Sequence, residues 1–330
     1  MPTVLVLPGD VQGPGVTDSA SRVLKAVTDD GIDFEYGTIG ISGYEATGSY
    51  LPVETLDMAN EADAVLLGPV RTEAKGTRSD PIYLLKHQLD LSSSQRVFRT
   101  LADDLGVPGV DITLWSSSPL KDRDIIETPE VDGVSITKYV NKSNCRALME
   151  RALKDMERRG STRVDCVTRT DIFPESSGVF GETLEEVFSG REIAAHHEEL
   201  SRWLSWLVRR PTEYDTVICA DLYGNPVAGL LAGLTGGNHL SPMCFDGGSI
   251  FLAESGHADY YLGIDPENIN PTSMILGGAL ALLHMGMRDE CTAIYDAVTK
   301  AYRRGLRTPD VGGTLTSTEF TDEVVALLNK

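Results

Sequence analysis

The sequence is short of lysine, of paired cysteines and of long apolar runs. Nine of its 29 basic residues are lysines, against 49 acidic residues, and the formal net charge is −20. Such a surface repels nucleic-acid phosphates and anionic lipid headgroups, so no nucleic acid and no membrane is expected as a partner. It leaves a small anionic ligand open, because a local basic pocket can sit inside an acidic surface. A high-salt habitat and a high-GC genome would each give this arginine-dominated, acidic profile. Five cysteines (145, 166, 219, 244 and 291) are scattered, with no Cys-x-x-Cys and no histidine cluster at zinc spacing. Buried, reduced thiols in a cytoplasmic protein follow. The opening "MPTVLVLPGD" has no basic leader and an apolar run of only five residues. It reads as a first strand and not as a signal peptide. The most apolar stretch, "MILGGALALLHMGM" (274–287), is too short to span a bilayer and reads as a buried core helix.

What is present is alternation. With 330 residues the chain can form two domains or one large α/β unit. "TVLVL" (3–7) is a buried-type strand, "GDVQGPG" a Gly/Pro loop, and "VTDSASRVLKAVTDDG" a helix closed by Gly31. "DFEYGTIGI" reads as a strand, "LPVETLDMANEA" as a helix, and "DAVLLGPV" as another buried strand. Repeated βαβ units imply a largely parallel, doubly wound sheet. The polar loop 71–82 lies at the end of a strand, where open α/β sheets bind ligands. The middle of the chain has its own alternation: the strands "VDITLW", "GVSITKYV" and "RVDCVTR", and the helices "KSNCRALMERALKDMERRG" and "HEELSRWLSWLVRR". From 240 to about 268 the chain reads as loop-rich. "NPTSMILGGALALLHMG" opens a helix with Asn270 as N-cap and Pro271 at the first helical position.

The stretch "ADLYGNPVAG" (220–229) follows the apolar run "YDTVIC". Asp221, Asn225 and Gly229 recur every four residues and so share one side of a helix. A hard cation at such a place wants carboxylates, and here only the first residue is an acid.

Four ordered blocks resemble the isocitrate/3-isopropylmalate dehydrogenase family, the β-decarboxylating dehydrogenases. "LVLPGDVQGPGV" is similar to its GDGIGPE loop, and "LKHQLDLSSSQR" to its LRKxxDLxANxRP segment. "VRRPTEYDTVICADLYGN" is similar to LRPxxYDVIxxxNxxGD, and "GIDPENINPTSMILGGALALLHMG" to AGxxxxNPTxxILSxxMMLxHxG. The resemblance implies an α/β, isopropylmalate-dehydrogenase-like two-domain fold, a doubly wound sheet with an inserted second domain. Residues 1–91 plus 239–330 would form the large, cofactor-type domain, and 92–238 the small, dimerisation domain. It also implies a homodimer whose clefts take residues from both chains. The family substrate is a 2-hydroxy acid with a β-carboxylate; NAD or NADP takes the hydride and Mg²⁺ or Mn²⁺ holds the hydroxy acid.

Carried over residue by residue, the family site is altered. Of three arginines that hold substrate carboxylates, Lys86 stands at the first, Arg96 matches the second and Ser116 falls on the third. Thr77, Arg78 and Ser79 fall in the substrate-selecting loop, where Arg78 could offset Ser116. Tyr139 matches the tyrosine that protonates the enol carbon. The catalytic lysine falls on Arg169, which stays charged and makes a poor base, and the next asparagine falls on Asp171. The three metal aspartates fall on Ser201, Asn225 and Gly229, while Asp221 stands where the family has Asn. A relocated cation among Asp171, Asp221 and Asn225 is one reading; an ion pair of Arg169 with Asp171 or Asp221 is the favoured one. On the cofactor side the family Glu falls on Leu252, two residues short of Glu254, and its His on Ser255, two short of His257. The ribose acid falls on Tyr260 or, with a one-residue slip, on Asp259, and Asn270 would touch adenine. His196 and His197 precede "EELSRW" and, being adjacent on a helix, would not face one way.

Three functions compete. The first is an enzyme acting on a small anionic hydroxy or keto acid with altered chemistry, through Tyr139, Arg169, Asp171 and Asp221. The second is an NAD(P)-dependent oxidative decarboxylase with rearranged ligands. The third is a non-catalytic binding or regulatory paralogue.

Overall fold

The computed structural model describes residues 1–72, 80–118, 125–256 and 265–328, excepting the side chains of Ile125 and Asp221. The chain begins with β1 (Thr3–Leu7), α1 (Gly13–Thr28), β2 (Asp33–Tyr36), α2 (Ile41–Thr47), α3 (Val53–Glu61), β3 (Ala64–Leu67) and α4 (Pro81–Gln88). Then follow β4 (Ser93–Arg99), β5 (Asp111–Ser117), the hairpin β6 (Ile125–Glu130) and β7 (Gly133–Lys138), and α5 (Lys142–Arg159). Next come β8 (Arg163–Thr168), α6 (Pro174–Phe188), β9 (Ala194–Glu199), α7 (Leu200–Arg209), β10 (Thr216–Cys219) and α8 (Asp221–Thr235). The chain closes with β11 (Met243–Asp246), β12 (Phe251–Glu254), α9 (Thr272–His284), α10 (Arg288–Arg303) and α11 (Ser317–Leu328).

Ten strands form one sheet in the order β2-β1-β3-β12-β11-β4-β5-β10-β8-β9. The outer neighbours pair in parallel, and the three central pairings, β12–β11, β11–β4 and β4–β5, are antiparallel. The strands that are buried on both faces read as continuous apolar runs, as parallel strands covered by helices must. Alternation divides their side chains. Val4 and Val6 pack with α1, α9, α10 and α11, whereas Leu5 and Leu7 pack with α3 and α4. In the other half Leu114, Val217 and Cys219 pack under α7 and α8, and Trp115, Ile218 and Cys166 under α5 and α6.

Several helix boundaries are set by side chains. Asn141 Oδ1 accepts from the Asn144 N–H at 2.8 Å and starts α5, which Gly160 closes in the left-handed conformation. Asn270 Oδ1 accepts from the Thr272 N–H at 3.0 Å and starts α9, whose first eleven residues are all buried. That helix is the core element its composition predicts. Among the described residues no helix is long and apolar enough to cross a membrane.

Three local readings are corrected. The stretch expected as one strand, "DFEYGTIGI", ends its strand at Tyr36, and Ile41 opens α2. The region after 240 holds β11 and β12, two four-residue strands too short to show a period. His196 and His197 lie on β9, not on a helix, so they alternate across an edge strand. His197 Nε2 lies 2.8 Å from Thr168 Oγ1, and burial pulls its pKa down.

The loop after β1 is tied to its neighbours by Asp10, which is 8 % exposed. Its carboxylate accepts from the N–H groups of Ile41 and Ser42 at 3.2 Å each and of Arg71 at 2.6 Å. Replacing Asp10 by Ala leaves these donors without their charged acceptor. Asp10→Ala should lower unfolding free energy by about 2 kcal/mol, read from the urea midpoint at constant slope.

Candidate active-site cleft

The central antiparallel strands place a row of side chains. Directly opposed residues share a face of a sheet. Arg96 of β4, Met243 of β11 and Glu254 of β12 are opposed in register, so all three point to the side that carries α4 and α8. From α4, Lys86 reaches down to this row. Its Nζ lies 2.5 Å from Glu254 Oε1 and 3.4 Å from the centre of the Phe245 ring. Lys86 is 2 % exposed, and burial lowers its pKa while Glu254 opposes the shift. The sequence reading of Lys86 as a substrate cation thus meets an ammonium already paired inside the protein.

Arg96 is differently placed. Its Nη2 donates to Asn238 Oδ1 at 3.0 Å, and its guanidinium carbon lies 5.2 Å from the centre of the Phe98 ring. Its Nε–H is buried without a partner. Among the described residues no carboxylate comes within ion-pair distance of it. Ser116, at the third arginine position, is 9 % exposed and lies under the first turn of α8. A Cβ at Gly224 would sit 2.8 Å from Ser116 Oγ. This approach of helix to strand suits a small residue at each position.

Glu254 stands two residues beyond Leu252, onto which the family Glu falls. Leu252 is fully buried, opposite Phe245 and Val65, and belongs to the core. Glu254, two residues on, faces the same side of the sheet and supplies the acid at the strand end. A buried run ending in an acid, "FLAE", was the available signal. Asn238, the partner of Arg96, carried none.

Tyr139 and Arg169 line a second space, a cavity of about 420 Å³ walled by Phe173, Phe180, Leu222 and Tyr223. Neither Lys86 nor Arg96 lines it. Tyr139 is 65 % exposed. Arg169 donates from Nε and Nη2 to the two oxygens of Asp171 at 2.8 and 2.9 Å, and its Nε lies 3.9 Å from Glu199. Of the two ion pairs that the sequence allows for Arg169, this is the one with Asp171. The hydrogen bonds from Arg169 hold the Asp171 carboxyl below the ordinary aspartate range.

Glu199 caps α7 by accepting from the N–H groups of Ser201 and Arg202 at 2.8 Å each. Ser201, Asn225 and Gly229 are exposed, and none carries a charge. Among the described residues no three His, Cys, Asp or Glu side chains cluster to hold a metal ion. Ser201, Asn225 and Gly229 thus offer no carboxylate to a divalent ion. Asn270 is 1 % exposed, and its Nδ2 donates to Tyr302 at 3.0 Å and to Asp310 at 3.1 Å. Both groups of its amide are therefore engaged within the protein. Arg78, Ser79, His257, Asp259 and Tyr260 lie outside the described residues, as do Thr77 and the side chain of Asp221.

A ten-stranded sheet of this order, covered by helices and crossed by three central antiparallel pairings, defines the α/β fold. The chain belongs to the isocitrate/isopropylmalate dehydrogenase family, whose model matches residues 3–107 and 118–324. It is 28 % identical over 339 residues to the 3-isopropylmalate dehydrogenase of Archaeoglobus fulgidus, covering all of both chains. It is also 28 % identical to one regulatory chain of the mitochondrial NAD isocitrate dehydrogenase of Dictyostelium discoideum, covering 98 % of this chain and 90 % of that one. The isocitrate dehydrogenase structure from Methylococcus capsulatus superposes with a TM-score of 0.88 at 22 % identity over the whole of both chains.

Two measurements test the site. Lys86→Met leaves Glu254 buried and unpaired, and should cost about 3–5 kcal/mol of stability. The Lys86→Met/Glu254→Leu double variant should recover most of that loss in the same denaturation experiment. Separately, Asp171 should titrate below the free aspartate value of about 3.9 by carbon-detected NMR, and Arg169→Gln should raise it. A carboxyl with a depressed folded pKa favours the native state above its unfolded pKa. That contribution disappears as pH falls through the lower, folded value.

Proposed function

We propose that the chain binds a small hydroxy or keto acid through Arg96, on the side of the sheet that carries α4 and α8. We further propose that it does not perform metal-assisted oxidative decarboxylation with the residues its family uses. The observation that carries this reading is the two-point ion pair between Arg169 and Asp171. A lysine tuned by burial can exchange a proton with a substrate hydroxyl. An arginine clamped by an aspartate stays protonated and directs its donors at that aspartate. With Ser201, Asn225 and Gly229 at the metal positions, the cleft also lacks the anionic cage that a divalent ion needs. Arg96 remains to bind a carboxylate, and the exposed Tyr139 hydroxyl to donate a proton to a carbanionic or enolic carbon. Because Tyr139 and Arg169 line a different space from Lys86 and Arg96, a homodimer pooling residues from two chains is part of this reading.

A second reading, a non-catalytic regulatory chain, is favoured by the likeness to the regulatory chain from Dictyostelium discoideum. The two separate in one set of experiments on the purified protein. The first reading expects a homodimer whose melting temperature rises with hydroxy or keto acids and is indifferent to Mg²⁺. It also expects no nicotinamide reduction with D-malate. Reduction of NAD or NADP that requires Mg²⁺ or Mn²⁺ would refute it in favour of an oxidative decarboxylase with rearranged ligands. Stable assembly only with a family member that has the complete site would favour the regulatory chain.

A further inference from the structure

We infer that a cavity of about 630 Å³, on the far side of the sheet from Arg96, is a binding site for a small phosphate ester. The inference goes beyond the proposed function and does not rest on it. The cavity lies among the end of α5, strands β4 and β5, and helices α9 and α10. Gln95 of β4 lines it, and successive residues of a strand face opposite ways, so Arg96 points away from it. The Tyr139 cavity lies at the other end of α5, where Asn144 and Cys145 line it. Small-molecule sites enclose roughly 300–1,000 Å³, and this cavity falls in that range. Three polar side chains on its walls, Gln95, Thr113 and Tyr295, are only 2–7 % exposed. None of the three makes a side-chain hydrogen bond among the described residues. Buried polar groups in a folded protein are bonded to protein, to water or to a ligand. The partners of these three therefore come from what fills the cavity.

Four arginines and three aspartates line the same cavity. Arg99 donates from Nε and Nη2 to Asp111 at 2.9 and 2.6 Å. Arg159 donates to Asp215 at 3.1 Å and to Asp155 at 2.9 Å. Arg158 and Arg288 make no ion pair and no side-chain hydrogen bond among the described residues. Both stand near the turn between α9 and α10. Burial lowers the pKa of His284, the last residue of α9; Asp246 opposes the shift, and the charges of Arg158 and Lys154 add to it. Arg288 follows four residues later and opens α10. Asp296 is also unpaired, but it lies eight residues further along α10, or about 12 Å. Asp289 and Glu290 follow Arg288 and do not line the cavity. A phosphate monoester brings roughly two negative charges and three acceptor oxygens, more than one carboxylate can offer. Two guanidiniums with unused donors suit such a group. Gln95 and Thr113 are left for the hydroxyls of the ester's body.

Calorimetric titration of the wild-type protein with ribose 5-phosphate and with glycerol 3-phosphate tests the site. At least one ester should bind with a dissociation constant of about 1 mM or less, and ribose at least about tenfold more weakly. Arg158→Gln and Arg288→Gln should each weaken the ester by about tenfold or more, while Arg96→Gln, on the other face, leaves it unchanged. Neither Arg158 nor Arg288 holds another side chain in place, so both variants are expected to fold, and the wild-type titration needs neither. Binding of neither ester overturns the inference and leaves water as what fills the cavity. Unchanged affinity in folded Arg158→Gln and Arg288→Gln, or a loss in Arg96→Gln, puts the ester elsewhere and overturns it too. Citrate that binds more tightly than either ester, and is lost with the same two arginines, overturns the phosphate class. None of these outcomes bears on an acid bound through Arg96.

Discussion

Four residue pairs between β4 and β11, from Ser93–Asp246 to Arg96–Met243, hold the two halves of the sheet together. Because this seam and the pairings on either side of it are antiparallel, the parallel strands of one half run against those of the other. Glu254, at the carboxyl end of β12, lies in the row of Arg96, whereas Ser117, at the carboxyl end of β5, lies in the row of Ser93. The ligand-prone strand ends of the two halves are thus at opposite edges, offset by three residues along β4, or about 10 Å. Lys86 of α4 reaches Glu254 in the row of Arg96, while the cavity of Tyr139 and Arg169 is walled by α6 and by Leu222 and Tyr223 of α8. The topology itself keeps these groups from surrounding one small acid within a single chain.

Charge neutrality governs what each half can offer. An ion removed from water needs a partner, and breaking a buried pair costs more than the pair itself contributes. Lys86 has Glu254, and Arg159 has Asp155 and Asp215. Asp165, fully buried, accepts from Arg163 Nε at 2.8 Å. In so acidic a protein, a cation near the sheet is claimed by a carboxylate unless geometry prevents it. Arg96 escapes because its neighbours on β4 and in the turn before β11 are Phe98 and Asn238.

The fold was legible because burial imposes periods. The apolar runs of β1, β3 and β10 and the uniformly buried α9 announce themselves, and the caps Asn141 and Asn270 mark helix starts. β11 and β12 were not legible, since runs of four residues carry no measurable period. β9 hid behind the helix signal of α7, because its histidines and glutamates are exposed or half-exposed and contribute no apolar alternation. In the site, the Arg169–Asp171 pair could be read from charge and proximity. Glu254 could not be placed from motif spacing: the loop beyond it departs from the family pattern, and a two-residue slip is silent in a strand, where residues two apart share a face. The engagement of Lys86 depends on a contact between α4 and β12, 168 residues apart, which no local pattern encodes.

Under the correspondence proposed above, Arg169 for a lysine and Asp171 for an asparagine are physically one change. An aspartate at 171 beside a lysine would raise the pKa of that lysine and remove its use as a base. An arginine at 169 beside an asparagine would leave a guanidinium with a poorer acceptor. Together they close into a two-point pair that neither residue forms alone. Under the proposed correspondence, uncharged residues at 201, 225 and 229 have the same character, since without a cation three exposed carboxylates would only repel one another. The core tolerates this freedom because it is built on alternation and volume and not on the identity of groups in the cleft. A chain can therefore keep the whole sheet while the chemistry at its strand ends is rewritten in compensating pairs.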